Sequence, residues 1–250
     1  SRITQVLGFT PNRHEGKITG LAAYDQAPPE LLEHMRRQMR FTGSGFCRLN
    51  YWRRQSPDDR FYSFVKRYSR EQVAAATQQA LEEAITAFVE HHVAATGVRH
   101  IAVAGGTFAN VAVNRRIAEL GCVDSLFVYP NMGDGGLPVG AALGSAGAVP
   151  THLPHVYLGP SYDDRHIERL LEGAGVTFRR PARLSRDVAQ LIADKKVVAR
   201  CDGAMEWGPR ALGNRSILYR PDDPAVNDWL NKRLQRTEFM PFAPMTLAER

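Results

Sequence analysis

Residues 101–110, with the sequence IAVAGGTFAN, decide the fold of the chain. The apolar run Ile101–Ala104 ends in two glycines, and apolar residues then recur at helical spacing over Phe108–Leu120. The same order returns downstream, where the apolar run Leu126–Tyr129 enters the loop Pro130–Gly136 and a helix of small residues follows. Strand, loop and helix, twice in succession, predict an α/β layer domain.

Sequence on both sides extends this core. Apolar residues at three- and four-residue steps predict a long amphipathic helix over Arg70–Ala95, with Gly97 at its C-cap. Leu31–Met39 has the pattern of a short helix, and Phe41–Tyr62 that of a hairpin. Ile3–Phe9 resembles the middle of a strand, so we expect the chain to be a piece of a longer protein.

Two prolines within Ala148–Pro154 interrupt the pattern and predict a domain boundary between residues 149 and 150. The first domain then covers residues 1–149 and the second residues 150–250. The second has mixed α+β character, with predicted helices over Ser161–Glu172, Ser185–Asp194 and Ala225–Leu234 and a predicted strand over Val197–Arg200.

Composition narrows the class of protein. Hydrophobic residues make up 44% and charged residues 23% of the 250 positions, as in globular proteins, and no apolar stretch predicts a membrane span. Cys47, Cys122 and Cys201 are too scattered for a disulfide framework, which favours a cytoplasmic protein. The net charge of +6 comes from dispersed basic residues and suits either anionic small substrates or nucleic acid.

The segment Glu206–Ser216 has the strongest chemical signal. Arg210 and Arg215 lie five residues apart beside Gly208, and paired guanidinium groups bind phosphate or carboxylate through bidentate hydrogen bonds. The alternative is an arginine–glutamate bridge with a purely structural role.

Two loops offer weaker signals. In the first, Gly105 and Gly106 let the backbone approach a ligand, with Asn110 beside them, although a tight turn explains the same residues. In the second, Asp134 lies among glycines and could reach a metal ion or a phosphate-bound cation, or belong to a simple Asp-Gly turn.

These segments, with His14–Lys17 and Met240–Pro244, resemble the NodU-type O-carbamoyltransferase family over nearly the whole chain. The resemblance implies a partial actin/Hsp70-like domain followed by a YrdC-like domain. It also implies that carbamoyl phosphate and ATP form a carbamoyl-adenylate, which passes to a hydroxyl of a small-molecule acceptor at a metal-bearing site.

The resemblance assigns roles to individual residues. Catalysis falls to Glu206, Arg210 and Arg215, and binding of a divalent metal, iron or magnesium, to Asp134. The residues assigned to the nucleotide and the carbamoyl-adenylate are Gly105, Gly106, Asn110, Gly135, Gly208, Asn214, Ser216 and Arg236.

The sequence departs from the family in lacking its His-x-x-x-His metal motif, which we expect upstream of Ser1. The acceptor alcohol stays open, and a homodimer is compatible with the sequence. Two alternative functions also stay open. One is a kinase or ATPase of the actin-like superfamily, and the other is a component of tRNA modification that binds nucleic acid, a partner that we do not expect.

Overall fold

The computed structural model describes residues 2–46, 60–147, 153–223, 225–235 and 243–247. The chain divides into two compact units, Ser1–Gly133 with Asn227–Met245 and Asp134–Val226 with Thr246–Arg250. The mixture of helices and small sheets confirms the predicted α/β class, whereas the actin-like and YrdC-like assignments stay predictions. In chain order the elements are α1 Arg2–Val6, α2 Glu15–Leu21, α3 Pro29–Gln38, α4 Arg60–Val65, α5 Arg70–Thr96, β1 His100–Val103, α6 Val111–Ala118, β2 Ser125–Val128, α7 Leu137–Ala146, α8 Asp164–Gly173, α9 Leu184–Ala193, β3 Val198–Cys201, β4 Arg215–Leu218 and α10 Ala225–Arg233.

Helix α5 is the longest of these elements and confirms the helix predicted from periodicity. Ser69 and Gln72 form a capping box, in which the Ser69 hydroxyl accepts from the Gln72 amide and the Gln72 side chain accepts from the Ser69 amide. The helix ends at Gly97, whose φ of +71° places it in the left-handed region as predicted for a C-cap.

The first half of α5 packs into the larger core of the first unit. Its residues Val73, Ala74, Ala76 and Ala80 are buried in one cluster with apolar side chains from the preceding helices and loops. The other buried members are Leu7, Phe9, Ile18, Leu21, Leu31, Leu32, Met35, Phe61 and Val65.

The second half of α5 covers the small parallel sheet. Val89 and Val93 are buried with Val113 and Ile117 of α6, and partly buried residues of β1 and β2 pack against them. Strands β1 and β2 pair in parallel, from His100 opposite Ser125 to Val103 opposite Val128. The carboxyl ends of both strands therefore lie at one edge, where ligands bind in open α/β sheets.

The predicted strand Ile3–Phe9 is wrong, because the chain forms helix α1 there. The amides of Leu7 and Phe9 donate back to the carbonyls of Ile3 and Thr4, which continues the helical turn. Thr4 is fully buried, and its hydroxyl donates to Oε1 of Glu15 at 3.2 Å. A short apolar run does not by itself distinguish helix from strand, so this tertiary contact could not be read from the sequence.

Helix α8 and the predicted hairpin also differ from the predictions. Helix α8 begins at Asp164 instead of Ser161, because the Asp163 carboxylate accepts from the His166 amide and caps the helix. Within the predicted hairpin Phe41–Tyr62, Phe41 and Phe46 form an antiparallel bridge, residues 47–59 lie outside the described residues, and helix α4 then begins.

In the second unit, β3 and β4 pair antiparallel, from Val198 opposite Leu218 to Cys201 opposite Arg215. The segment Val156–Pro160 runs beside Met205–Trp207, with backbone hydrogen bonds from Gly159 to Met205, from Met205 to Pro160 and from Trp207 to Val156. The boundary predicted between residues 149 and 150 stays a prediction, since residues 148–152 are not among those described.

None of the helices in the described residues has the length and apolar character that a membrane span needs. The cytoplasmic location inferred from the cysteines stays a prediction.

The packing of α6 predicts a large difference between two apolar positions of one helix. Ile117 is fully buried, whereas Val111 is 71% exposed. Ile117→Ala leaves a cavity between α5 and α6, so we expect the free energy of unfolding to fall by about 2–5 kcal/mol. Val111→Ala is the matched control, with an expected change within about 0.5 kcal/mol. Urea denaturation measures both, and equal effects would contradict this description of the core.

Candidate functional site

The loops that follow β1 and β2 meet at the carboxyl edge of the parallel sheet. The amide of Gly105 donates to the carbonyl of Met132 at 2.6 Å, which joins the two loops directly. Gly105 has φ +111° and ψ 151°, a conformation that only glycine adopts readily. Gly105 and Gly106 are exposed. Main-chain groups of this turn are therefore exposed, and their contact with a nucleotide stays a prediction.

Asn110 separates the glycine turn from helix α6, so the single helix predicted over Phe108–Leu120 is wrong. A 3₁₀ turn spans Gly106–Ala109, and the Asn110 side chain then caps α6 by accepting from the amides of Ala112 and Val113, both at 3.2 Å. Nδ2 of Asn110 donates to Oε1 of Gln78 at 2.8 Å. The contact between Asn110 and a nucleotide stays a prediction, since its side chain bonds within the protein.

Asp134 and Gly135 lie in an exposed 3₁₀ turn immediately before α7. Among the residues that the structure describes, no group of three or more His, Cys, Asp or Glu side chains could hold a metal ion. These residues do not fit a metal site by themselves, because a divalent cation needs more ligands than one carboxylate. Asp134 as a metal ligand stays a prediction.

Glu206 organises the arginine-bearing segment of the second unit. It is 7% exposed, and no other described residue between 153 and 223 is buried. Its Oε1 accepts hydrogen bonds from the amides of Leu212 at 2.8 Å, Asn214 at 2.8 Å and Arg215 at 3.2 Å. One carboxylate oxygen thus draws the two ends of the loop 207–212 together.

These bonds fix the charge of Glu206. Burial favours the neutral acid, but hydrogen bonds from the amides of Leu212, Glu206 itself, Arg215 and Asn214 outweigh it and lower the pKa of Glu206 to about 2. Glu206 is therefore a carboxylate at neutral pH, and it faces main-chain amides instead of the side chain of either arginine.

Arg215 holds the base of the loop. Its guanidinium donates to the carbonyls of Asp202 and Asn214 through NH1 and to those of Pro160 and Gly203 through NH2, at 2.9–3.1 Å. Both terminal nitrogens are thus used within the protein, and the bridge to Glu206 left open by the sequence does not form through them. The predicted contact between Arg215 and a phosphate stays a prediction.

Asn214 and Ser216 also bond within the segment. Nδ2 of Asn214 donates to the carbonyl of Ala204 at 2.8 Å, and the Ser216 hydroxyl accepts from the Gly213 amide at 3.0 Å. The structure therefore brings Glu206, Asn214, Arg215 and Ser216 together through hydrogen bonds that go mainly to the backbone, and their roles in catalysis and binding stay predictions.

Arg210 differs from Arg215. Residues 208–212 are exposed, and Gly208 turns the chain with φ +127°. Arg210 makes no hydrogen bond or ion pair with the described residues. Its guanidinium is available to an anion at the tip of a loop whose base is fixed. Arg236, also predicted to bind the nucleotide, lies outside the described residues.

Sequence reasoning missed Gln78, the α5 residue that pairs with Asn110. It is 8% exposed, whereas the adjacent Gln79 is exposed. No signal in the sequence separates these two glutamines, because periodicity treats both as polar residues of one helix.

Comparison with known proteins identifies the family. A model of the carbamoyltransferase N-terminus matches residues 1–143, and a model of the carbamoyltransferase C-terminus matches residues 189–250. The chain belongs to the carbamoyltransferase family. This result confirms the family predicted from the quoted segments.

Three relatives show how much of this chain and of each matching protein the similarity covers. An uncharacterized protein of Methanocaldococcus jannaschii is 31% identical over 100% of this chain and 43% of its own length. Nodulation protein NolNO of Sinorhizobium fredii is 34% identical over 71% of this chain and 27% of its own. Nodulation protein U of Rhizobium fredii is 36% identical over 65% of this chain and 27% of its own. The carbamoyltransferase chain thus spans less than half the length of these relatives.

Proposed function

We propose that this chain carries part of an ATP-dependent O-carbamoyltransferase, which activates carbamoyl phosphate as a carbamoyl-adenylate and transfers the carbamoyl group to a hydroxyl of a small molecule. The observation that carries the proposal is the loop 207–212, whose base is fixed by Glu206 and Arg215 and whose tip presents the guanidinium of Arg210, which bonds to none of the described residues. Family membership supplies the class of reaction.

The reaction balances in two steps. Carbamoyl phosphate, ATP and one water yield carbamoyl-adenylate, phosphate and pyrophosphate. The acceptor hydroxyl then attacks the carbamoyl carbon, loses its proton, and displaces AMP. Negative charge accumulates on the leaving phosphate groups in the first step, and a guanidinium presented to them stabilises such charge.

Each part of the chain has a share in this proposal. Arg210 binds the anionic donor or the adenylate, while Glu206, Asn214, Arg215 and Ser216 maintain the loop that presents it. The turn at Gly105 and Gly106 offers main-chain groups to the nucleotide. The described residues do not make up a metal site, so the proposal includes no metal-dependent step.

Isotope exchange tests the proposal without knowledge of the acceptor. The chain is incubated with ATP and labelled pyrophosphate, and we expect label to enter ATP only when carbamoyl phosphate is present. Formation of ADP would favour the kinase or ATPase alternative, and the absence of carbamoyl phosphate-dependent exchange would contradict adenylate formation by this chain.

A further inference from the structure

Gln78 is a buried amide in the middle of α5, and all of its hydrogen-bonding capacity is used. Oε1 accepts from Nδ2 of Asn110 at 2.8 Å and from the Thr19 hydroxyl at 3.2 Å. Nε2 donates to Oε1 of Glu82 at 2.8 Å and to Oδ1 of Asn110 at 3.2 Å. A primary amide has two donor hydrogens and two acceptor lone pairs, so Gln78 is fully satisfied.

The paired amides of Gln78 and Asn110 connect three helices of the first unit. Thr19 lies on α2, Gln78 on α5, and Asn110 is the N-cap of α6. A second contact follows one turn along α5, where Oε2 of Glu82 lies 3.8 Å from Nε of Arg116 on α6. Because two hydrogen bonds hold the Asn110 amide in a single orientation, its Oδ1 stays directed at the first amides of α6.

We infer that Gln78 is a positioning residue for the glycine turn Gly105–Asn110. The inference rests on the proposed function, in which this turn contacts the nucleotide. Gln78 itself does not contact the nucleotide. It fixes Asn110, and Asn110 ends the 3₁₀ turn Gly106–Ala109, whose exposed first residues, Gly106 and Thr107, would face the nucleotide.

The test compares Gln78→Leu with Gln79→Leu. Gln79 is exposed and donates only to Oε1 of Glu83 among the described residues, so it controls for a leucine on the same helix. Gln78→Leu removes both hydrogen bonds that hold the Asn110 amide. We expect the Kd for ATP to rise about tenfold or more, since the net loss of even one hydrogen bond has roughly that effect, and amide exchange of Ala112 and Val113 to accelerate by a similar factor. Gln79→Leu should change neither quantity.

A merely structural role predicts a different result. Loss of packing would lower the melting temperature and the folded fraction, but the folded fraction would keep its Kd for ATP and its slow exchange at Ala112 and Val113. That result would overturn the inference. If the unaltered chain does not bind ATP, the proposed function fails, and the exchange rates still decide whether Gln78 positions the turn.

A second variant separates pairing from capping. Serine caps helices as well as asparagine does, but its hydroxyl cannot form the paired amide bonds. Asn110→Ser should therefore weaken ATP binding, and adding Gln78→Leu should cause no further loss. Additive losses would overturn the inference. If Gln78→Leu does not fold, unchanged amide exchange of residues 106–109 in Asn110→Ser would overturn it as well.

Discussion

Replacing Arg210 with alanine is expected to reduce carbamoyl phosphate-dependent pyrophosphate exchange by about 100-fold, the usual cost of removing one donor to developing negative charge. The substitution should leave the fold intact, because Arg210 is exposed and makes no hydrogen bond or ion pair with the described residues. Steady-state exchange measures the activity, and thermal melting checks the stability.

Two further variants sharpen the Arg210 experiment. Arg210→Lys keeps the charge but loses the planar fork of donors, so an intermediate activity is expected. Arg179→Ala removes another exposed arginine, which pairs with Asp187 at 3.3 Å on the surface of the same unit, and should retain full activity. Equal activity in Arg210→Ala and Arg179→Ala would contradict the proposed role of Arg210.

The same variant addresses the nucleic-acid alternative. Basic residues that contact phosphates make RNA affinity fall steeply with salt. If Arg210→Ala abolished exchange activity and left RNA affinity unchanged, this result would contradict the hypothesis, based on the net charge of +6, that the site binds nucleic acid. Salt-dependent RNA binding that required Arg210 would instead favour the nucleic-acid hypothesis.

Glu206→Ala is expected to be the most disruptive single change in the second unit. It removes the acceptor of the amides of Leu212, Asn214 and Arg215, and the loop 207–212 then loses the contact that joins its ends. We expect activity to fall by about 100-fold, because a displacement of Arg210 by about 1 Å can cost that much, together with a lower melting temperature and faster hydrogen exchange at these three amides. Retention of slow exchange would contradict the organising role of Glu206.

Glu206→Gln isolates the contribution of the charge. The pKa of Glu206 is lowered from its ordinary value of 4.5 to about 2, so the unfolded chain takes up a proton at higher pH than the folded chain does. The stabilisation is therefore fully present above pH 4.5 and is lost as the pH falls toward 2. Glutamine does not titrate, so the difference in melting temperature between the two proteins should narrow over this range. A constant difference would contradict the pKa shift.

The sequence predicted features that depend on local patterns. The helix around Val73–Val93, its Gly97 cap and the strands around Ile101 and Leu126 follow from periodicity and glycine chemistry, which neighbouring residues determine. The strand predicted over Ile3–Phe9 failed because its conformation depends on Thr4 contacting Glu15, a tertiary interaction.

The sequence indicated the candidate residues of the site, but it did not predict their hydrogen-bond partners. Glu206 and Arg215 lie close together, but the side chain of each bonds to main-chain groups. Because every residue has a main-chain carbonyl, the sequence does not show which of these groups a side chain contacts. The same limit applies to Asn110. Its type and position suggested a ligand contact or a tight turn, and only the structure shows that it bonds to Gln78, 32 positions earlier in the chain.

The hydrogen bonds from Tyr157 to Leu212 and from Arg215 to Pro160 each join residues 55 positions apart. A ribosome adding about 5–20 residues per second therefore needs roughly 3–11 s after residues 157–160 are synthesised before their partners exist. Capping of α5, by contrast, needs only residues three positions apart. The loop that presents Arg210 thus closes after translation of its own unit is nearly finished, and a nascent chain that stalls before Arg215 cannot form the hydrogen bonds that hold the base of this loop.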